Sequence, residues 1–275
     1  MVMDEIDRFL KEDLGDKGDI TSNALFTRQT AKACIITKEE CIVAGLQEAV
    51  RVFKRVGATA TLLVKDGDAV QKRIPVLEIK GTVRSILKGE RLALNIIGRM
   101  SGIASETKRL VERCKKINPR VTIAATRKTT PGFRSFEKKA VMLGGGMPHR
   151  YGLYDAVLIK DNHLKIIGSV EEAIKKVKKK IPDKIIEIEV ENESDALIAA
   201  TMRADVIMLD NLNPKSGQRI ARKVREINPD IIIEVSGGIT PTNIENYASF
   251  ADRISLGYLT HSVRNKDFSL EIFKN

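Results

Sequence analysis

The stretch Val121–His163, VTIAATRKTTPGFRSFEKKAVMLGGGMPHRYGLYDAVLIKDNH, decides the fold of this chain. Two short apolar runs, Val121–Ala125 and Ala156–Ile159, each stop abruptly on charge. Thr126-Arg127-Lys128 follows the first and Lys160-Asp161 the second. Apolar runs of this length with β-branched content read as buried strands. Strands of that kind alternating with helices form parallel sheets, whose ligands sit beyond the carboxyl ends. Arg134, the glycine run Gly144–Gly146, His149 and Arg150 lie between the two runs. Both strand ends therefore deliver cations, and the implied pocket takes a small molecule with several negative charges.

Further strands are expected at Ile185–Val190, Val206–Leu209, Ile231–Val235 and Arg253–Leu256, with helical patterns between them. Helix starts are signalled by Ser169 with Glu172, by Asn213-Pro214 and by Thr240-Pro241. This alternation predicts an α/β barrel or a doubly wound sheet. The residues at the strand ends are Arg127 and Lys128, Lys160 and Asp161, Glu189 and Glu191, Asp210 and Asn211, Ser236-Gly237-Gly238, and Gly257. In a barrel they surround one mouth. Early strands give cations, middle strands carboxylates, and late strands small residues with free backbone N–H groups that suit a phosphate. Each member alone has a plainer reading. Asp210 could simply cap a helix, and Ser236–Gly238 could be a tight turn. Gly144–Gly146 lacks the Lys-Ser/Thr of a nucleotide-binding loop, His261 could be a satisfied surface residue, and His163 could orient a loop. The constellation carries the claim.

The first half is patterned differently. Residues 4–14 read as an amphipathic helix, followed by a loop over Gly15–Ser22. Ala31–Thr37 and Thr59–Val64 read as strands around a helix at Leu46–Val56; Asp66-Gly67-Asp68 is a turn, and Val76–Ile79 and Thr82–Leu87 extend the β pattern. From Gly89 to Asn118 the period is helical, with Gly98 and Gly102 expected to split the stretch into two helices. The expected domains are an N-terminal α/β sandwich over 1–104, rejoined by a tail over 264–275, and an α/β barrel over 105–263.

Composition narrows the function. The 275 residues carry a net charge of +11, 43% hydrophobic and 30% charged content, which is globular and suits anionic partners. Only 8 Phe and 4 Tyr are present, with no Trp and no basic–aromatic stripe, so nucleic-acid binding is disfavoured. Lys175–Lys180 reads as the solvated face and end of a helix. Cys34, Cys41 and Cys114 form no CxxC pair and fit reduced, buried thiols in a cytoplasmic protein. The acidic amphipathic N-terminus does not resemble a signal peptide, and no apolar run approaches membrane length.

The motif TRKTTPG (Thr126–Gly132), followed by GGG-x-x-HR-x-GL-x-DAVLIKDNH (Gly144–His163), resembles quinolinate phosphoribosyltransferase, the decarboxylating nicotinate-nucleotide pyrophosphorylase. The resemblance extends from GDITS (Gly18–Ser22) through ERLALN (Glu90–Asn95), SGIA (Ser101–Ala104), MLDN (Met208–Asn211) and SGGI (Ser236–Ile239) to LGYLTHS (Leu256–Ser262). Ala125 departs from many members, which carry an aspartate before the TRK triplet. The resemblance implies an incomplete, seven-stranded TIM-like barrel. It implies transfer of a phosphoribosyl group from phosphoribosyl pyrophosphate to quinolinate, with release of carbon dioxide, in NAD biosynthesis. Thr126, Arg127, Lys128, His149, Arg150 and Lys160 would bind the quinolinate carboxylates, with Arg91 entering from the neighbouring subunit of a dimer. Glu189 and Asp210 would hold the ribose hydroxyls and Mg2+. Ser236, Gly237, Gly238, Gly257, Tyr258 and Leu259 would cradle the 5′-phosphate near His261. Lys128, Lys160, Glu189 and Asp210 are the expected catalytic residues. A phosphoribosyltransferase for nicotinate and a non-catalytic anion-binding protein are the rival readings; the first lacks a use for so many cations, the second for the carboxylates.

Overall fold

The computed structural model describes residues 4–273, and the chain divides into two units: Met1–Lys108, Thr130–Gly145 and Val263–Asn275 form one, Arg109–Thr129 and Gly146–Ser262 the other. In the first unit Asp4 accepts from Ile6 N at 3.0 Å and starts the helix Glu5–Leu14 (α1), which buries Ile6 and Leu10. The second helix, Ile20–Leu25 (α2), begins inside the expected loop. Asp19 accepts from Ser22 N at 2.9 Å, and this cap turns Ile20–Ser22 helical.

An antiparallel sheet follows. Thr30–Thr37 (β1) lies between Pro75–Thr82 (β5) and the returning strand Phe268–Phe273 (β12), with Thr59–Leu62 (β3) beyond β5. Along β1, Ala31, Ala33, Ile35 and Thr37 are buried and their neighbours are not, the period-two pattern of a half-buried strand. Leu46–Arg55 (α3) packs on this sheet, and Cys41–Ile42 (β2) pairs with Ala69–Val70 (β4). Val83–Leu87 is not the strand its β-branched content promised. Thr82 Oγ1 accepts from Ser85 N at 3.1 Å and starts a helix there instead.

That helix, Val83–Lys115 (α4), runs 33 residues without a break, so Gly98 and Gly102 do not split it. Their purpose is close approach. A Cβ on Gly98 would stand 2.8 Å from the Lys266 carbonyl oxygen, and one on Gly102 would stand 2.3 Å from that of Arg264. The Lys266 N–H donates to Gly98 O at 2.9 Å, so backbone lies on backbone where no side chain would fit. The segment Thr130–Gly145, which falls within residues 105–263, belongs to the first unit and holds the helix Arg134–Leu143 (α5). Its Phe133 and Phe136 stack at 4.6 Å, and each sits 5.8 Å from Phe9.

The second unit is a parallel sheet wrapped by helices. Its strands are Thr122–Ala124 (β6), Val157–Ile159 (β7), Ile186–Val190 (β8), Val206–Asp210 (β9), Ile232–Ser236 (β10) and Arg253–Ser255 (β11), in the order β6-β11-β10-β9-β8-β7. All six stand within one residue of their expected limits. The seventh position of the incomplete barrel holds an isolated bridge from Met147 to Ala124 in place of a strand. The helices are Asp161–Ile167 (α6), Val170–Lys180 (α7), Glu193–Thr201 (α8), Pro214–Ile227 (α9), Glu245–Ala248 (α10) and Tyr258–His261 (α11). Ser169 and Asn213 cap as expected, accepting from Glu172 N and Ser216 N. Thr240-Pro241 does not start a helix: Thr240 N donates to Asn243 Oδ1 at 2.8 Å, forming a turn that defers α10 to Glu245. Among the described residues, no helix is long and apolar enough to cross a membrane.

The close approach at Gly102 gives a direct test. Gly102→Ala should lower stability by about 1–3 kcal/mol through overpacking, despite alanine's better helix propensity. Urea unfolding of the variant beside the parent measures it.

Candidate active site

Strand periodicity turns alternate residues to the same face, so Glu187 and Glu189 of β8 point together into the barrel. The register sets Glu189 beside Met208, Met208 beside Glu234, and Glu234 beside Arg253. Asp210 and Ser236 are paired further toward the carboxyl ends. Above them opens a cavity of about 730 Å3, the size of a small-molecule site.

The cavity gathers most of the expected residues. Thr126, Arg127, Lys128, His149, Arg150, Lys160, Glu189, Asp210, Ser236, Gly237, Gly238, Gly257, Tyr258 and His261 line it. Leu259 is fully buried and does not. Arg91 belongs to the first unit, where it borders a separate cavity of about 430 Å3 with Phe9, Glu12, Asp13, Asn95 and Phe133. Glu191, counted with Glu189 at the strand end, is exposed and off the wall. His163 accepts from Lys160 N at 2.9 Å and so orders the backbone that carries this lysine.

Glycines set the distances around the mouth. Gly237 has φ +80°, and a Cβ there would lie 2.4 Å from Asn211 Oδ1, so the loops after β9 and β10 touch only because it is glycine. A Cβ on Gly257 would be 2.9 Å from both Lys128 Cδ and His261 Nε2. Thr260 Oγ1 donates to Lys128 O at 2.7 Å, tying this turn to the loop that follows β6.

Charge is unevenly matched. Lys160 Nζ pairs with Glu189 Oε2 at 2.6 Å. Burial and the neighbouring Arg127 guanidinium push the Arg150 guanidinium below its ordinary range. Arg127 Nε is buried without a hydrogen-bond partner, and Ala125 two residues earlier offers it no carboxylate. Crowded cations with an unsatisfied donor suit a polyanion. Beside Lys160, burial and then the negative charge of Glu189 raise the Asp210 carboxyl above its usual value. Hard oxygen donors with like-charge crowding fit a divalent cation such as Mg2+.

From the cavity wall into the barrel interior runs a network that the strand-end reasoning missed. His149 Nε2 stands 3.3 Å from Glu187 Oε2 and 3.5 Å from Glu234 Oε1. Arg253 donates to Glu234 Oε2 at 2.8 Å, and the Ser255 hydroxyl donates to Glu234 Oε1. One ring form meets both sets of contacts: Nδ1 accepts from Arg150 N–H at 2.8 Å, and a proton on Nε2 faces the two carboxylates. Burial alone would lower the His149 pKa, but Glu187 and Glu234 lift it from 6.5 to about 9. The visible signal was the alternation IEIEV, which places glutamates inside a buried strand.

Residues 19–101 match the family described as quinolinate phosphoribosyl transferase, N-terminal domain, and residues 103–271 match its C-terminal domain. The chain belongs to the quinolinate phosphoribosyltransferase family. A family relative, the probable nicotinate-nucleotide pyrophosphorylase (carboxylating) of Archaeoglobus fulgidus, is 42% identical over 260 residues, 94% of this chain and 99% of its own. The corresponding protein of Methanocaldococcus jannaschii is 44% identical over 264 residues, covering 94% and 92%. The solved nicotinate-nucleotide pyrophosphorylase of Francisella tularensis superposes with a TM-score of 0.91 at 36% identity, covering 98% of this chain and 94% of that one.

The buried His149 ring links stability to pH. Its folded pKa of about 9 exceeds the ordinary 6.5, so its stabilising contribution is complete below pH 6.5 and lost as pH rises through 9. A His149→Gln variant should therefore be less stable than the parent at pH 6.5, and the gap should narrow toward pH 9.5. Urea unfolding at both pH values reads this directly.

Proposed function

We infer that this protein transfers a phosphoribosyl group from phosphoribosyl pyrophosphate to quinolinate and releases pyrophosphate and carbon dioxide, giving nicotinate mononucleotide. The observation that carries this reading is one cavity lined both by the basic side chains Arg127, Lys128, His149, Arg150 and Lys160 and by the strand-end carboxylates Glu189 and Asp210. A dicarboxylate employs the whole cationic wall, whereas a monocarboxylate leaves buried cations unmatched. A passive anion binder has no use for two carboxylates beside the anion.

In this reading the backbone N–H groups of Ser236–Gly238 and Gly257–Leu259 hold the 5′-phosphate, with Tyr258 and His261 alongside. Glu189 and Asp210 hold the ribose hydroxyls. Glu189 and Asp210 would hold Mg2+ brought by phosphoribosyl pyrophosphate, and the ion would supply positive charge to offset that of the departing pyrophosphate. As the C1–oxygen bond breaks, the sugar gains oxocarbenium character, which the two carboxylates stabilise electrostatically. Thr126 with Arg127, Lys128, His149, Arg150 and Lys160 orients quinolinate so that its ring nitrogen meets C1. The new C–N bond leaves the ring cationic. The adjacent carboxylate then leaves as carbon dioxide; its bonding electrons stay on the ring carbon beside the cationic nitrogen, and a proton from solvent takes its place there. Lys160, paired with Glu189, joins the two halves of the cavity. No covalent enzyme intermediate is required.

Arg91 completes the cationic wall from a second copy of the chain, making a dimer the smallest active assembly. Support comes from its position: Arg91 is exposed on the first unit and absent from the cavity wall of its own chain.

Purified protein with Mg2+ and phosphoribosyl pyrophosphate should form mononucleotide and carbon dioxide from quinolinate and nothing from nicotinate. Turnover of nicotinate alone would overturn the dicarboxylate pocket. Arg150→Ala and Lys160→Ala should each lose most activity with circular dichroism unchanged; near-normal turnover in either sinks the site assignment. Arg91→Ala mixed with Lys160→Ala should recover about a quarter of the parent activity, since half of random dimers hold one intact site of two. Full activity of Arg91→Ala by itself would remove the dimer requirement.

A further inference from the structure

The loop after β10 lends backbone to the cavity wall, and its polar groups divide into those the protein uses and those it leaves. Ser236 O accepts from Asn211 N at 3.0 Å, Gly238 O accepts from Asn243 Nδ2 at 3.0 Å, and Thr240 N donates to Asn243 Oδ1 at 2.8 Å. The N–H groups of Gly237, Gly238 and Ile239, three in succession, have no acceptor among the described residues. Gly237 and Gly238 have φ +80° and +61°, and turn backbone of this kind gathers successive N–H groups around one anion-binding concavity. All five residues from Ser236 to Thr240 line the cavity, and Asn243 does not.

The two contacts of the Asn243 amide have different consequences. Accepting from Thr240 N closes a local turn, which the bond from Asn243 N to Thr240 O at 3.2 Å already defines. Donating to Gly238 O reaches back out of that turn to the loop, which the turn itself does not need. An amide side chain supplies both, one atom accepting and the other donating. Reversed, it would set donor against donor and acceptor against acceptor, so the two contacts fix its orientation.

The contact with Gly238 decides where Ile239 N–H points. Peptide planarity puts the Gly238 carbonyl and the Ile239 N–H on opposite sides of one bond. Asn243 stands off the cavity wall and holds the carbonyl on its own side, so the N–H turns to the side on which Gly238 and Ile239 border the cavity. Without this hold, a peptide that follows a left-handed glycine is free to turn over and offer oxygen to an anion in place of hydrogen. Asn243 is itself held in place. Ile244 beside it is fully buried, and Arg113 donates to Pro241 O at 2.8 Å and to both Glu245 carboxylate oxygens at 2.9 Å.

We propose that Asn243 is a positioning residue for the phosphate end of the cavity: it holds the Gly238–Ile239 peptide with its N–H toward the cavity, which makes Ile239 N–H a donor to a phosphate group. The proposal rests on the reading above for the identity of that group, the 5′-phosphate of phosphoribosyl pyrophosphate, and on the loop alone for the direction of the peptide.

Glycine carrying a 13C carbonyl and isoleucine carrying 15N together mark only Gly-Ile peptide bonds, and the chain has two, Gly102-Ile103 and Gly238-Ile239. Ile103 is fully buried in α4 and serves as the internal reference. On titration with inorganic phosphate, the Ile239 amide proton of the parent should move downfield while the Ile103 signal stays. In Asn243→Ala the same movement should need roughly tenfold more phosphate, the loss of one charge-assisted hydrogen bond. The KM for phosphoribosyl pyrophosphate should rise by the same factor and the KM for quinolinate should not change. A general loosening of the fold would not divide the two KM values in this way. An Ile239 amide that ignores phosphate in the parent overturns the proposal whether or not the variant folds. So does Asn243→Ala with parental phosphate affinity, or with both KM values raised alike. Should phosphate move Ile239 in a parent that does not use quinolinate, the functional reading falls and the positioning stands.

Discussion

Negative charge inside the parallel sheet has to be matched where it stands, and the rest of the second unit follows from how that is done. Three glutamates, Glu187, Glu189 and Glu234, face the barrel interior, and each receives its cation from a different segment: Lys160 after β7, Arg253 on β11, and His149 from the stretch after Met147. Lys160 and Arg253 reinforce strand pairs already joined by ladders, whereas His149 reaches both β8 and β10, two strands that do not pair with each other. The pairings also determine which cations are left over. Arg127, Lys128 and Arg150 have no carboxylate partner among the described residues, and all three line the cavity. The site is cationic because the interior has already used the cations it needs.

A second constraint is how closely the loops at the mouth approach. Side chains of opposite charge can be brought together by strand register alone, because register repeats. Loops have no such repeat, so their spacing is set residue by residue. Gly237 lets the loop after β10 rest on Asn211, and Gly257 lets Lys128 and His261 close over one turn. The same device appears in the first unit, where Gly98 and Gly102 admit the backbone of Arg264–Lys266 onto α4. In each case the missing Cβ is what makes a polar backbone available at the surface it meets.

This explains which parts were legible in the sequence. The six parallel strands announce themselves because they are apolar, short and bounded by charge, and each limit fell within a residue of expectation. Helix starts were read less well wherever a hydroxyl or carboxylate caps earlier than the apolar period begins, as Asp19 and Thr82 do, or where a turn imitates a cap, as at Thr240. A glycine in a helical run reads as a break when only its own helix is in view; at Gly98 the reason lies in a segment met at the end of the chain. The strand-end residues of the cavity were legible because a barrel places all such ends together. Glu187 and Glu234 were not, since a carboxylate inside a strand gives no local sign of the histidine it will meet from another loop.

The buried pair also bears on the chemistry of decarboxylation. A cation that grips a carboxylate tightly stabilises it as an anion and opposes its departure as carbon dioxide, because only contacts stronger in the transition state than in the ground state accelerate a step. Mobile lysines would follow a reacting carboxylate and stabilise it at every stage. A ring placed between Glu187 and Glu234, as His149 is, would not follow. In the reaction proposed above, fixed neighbours of that kind would orient the substrate without gripping the carboxylate that departs. Rigidity around the cavity would then count for more than positive charge within it.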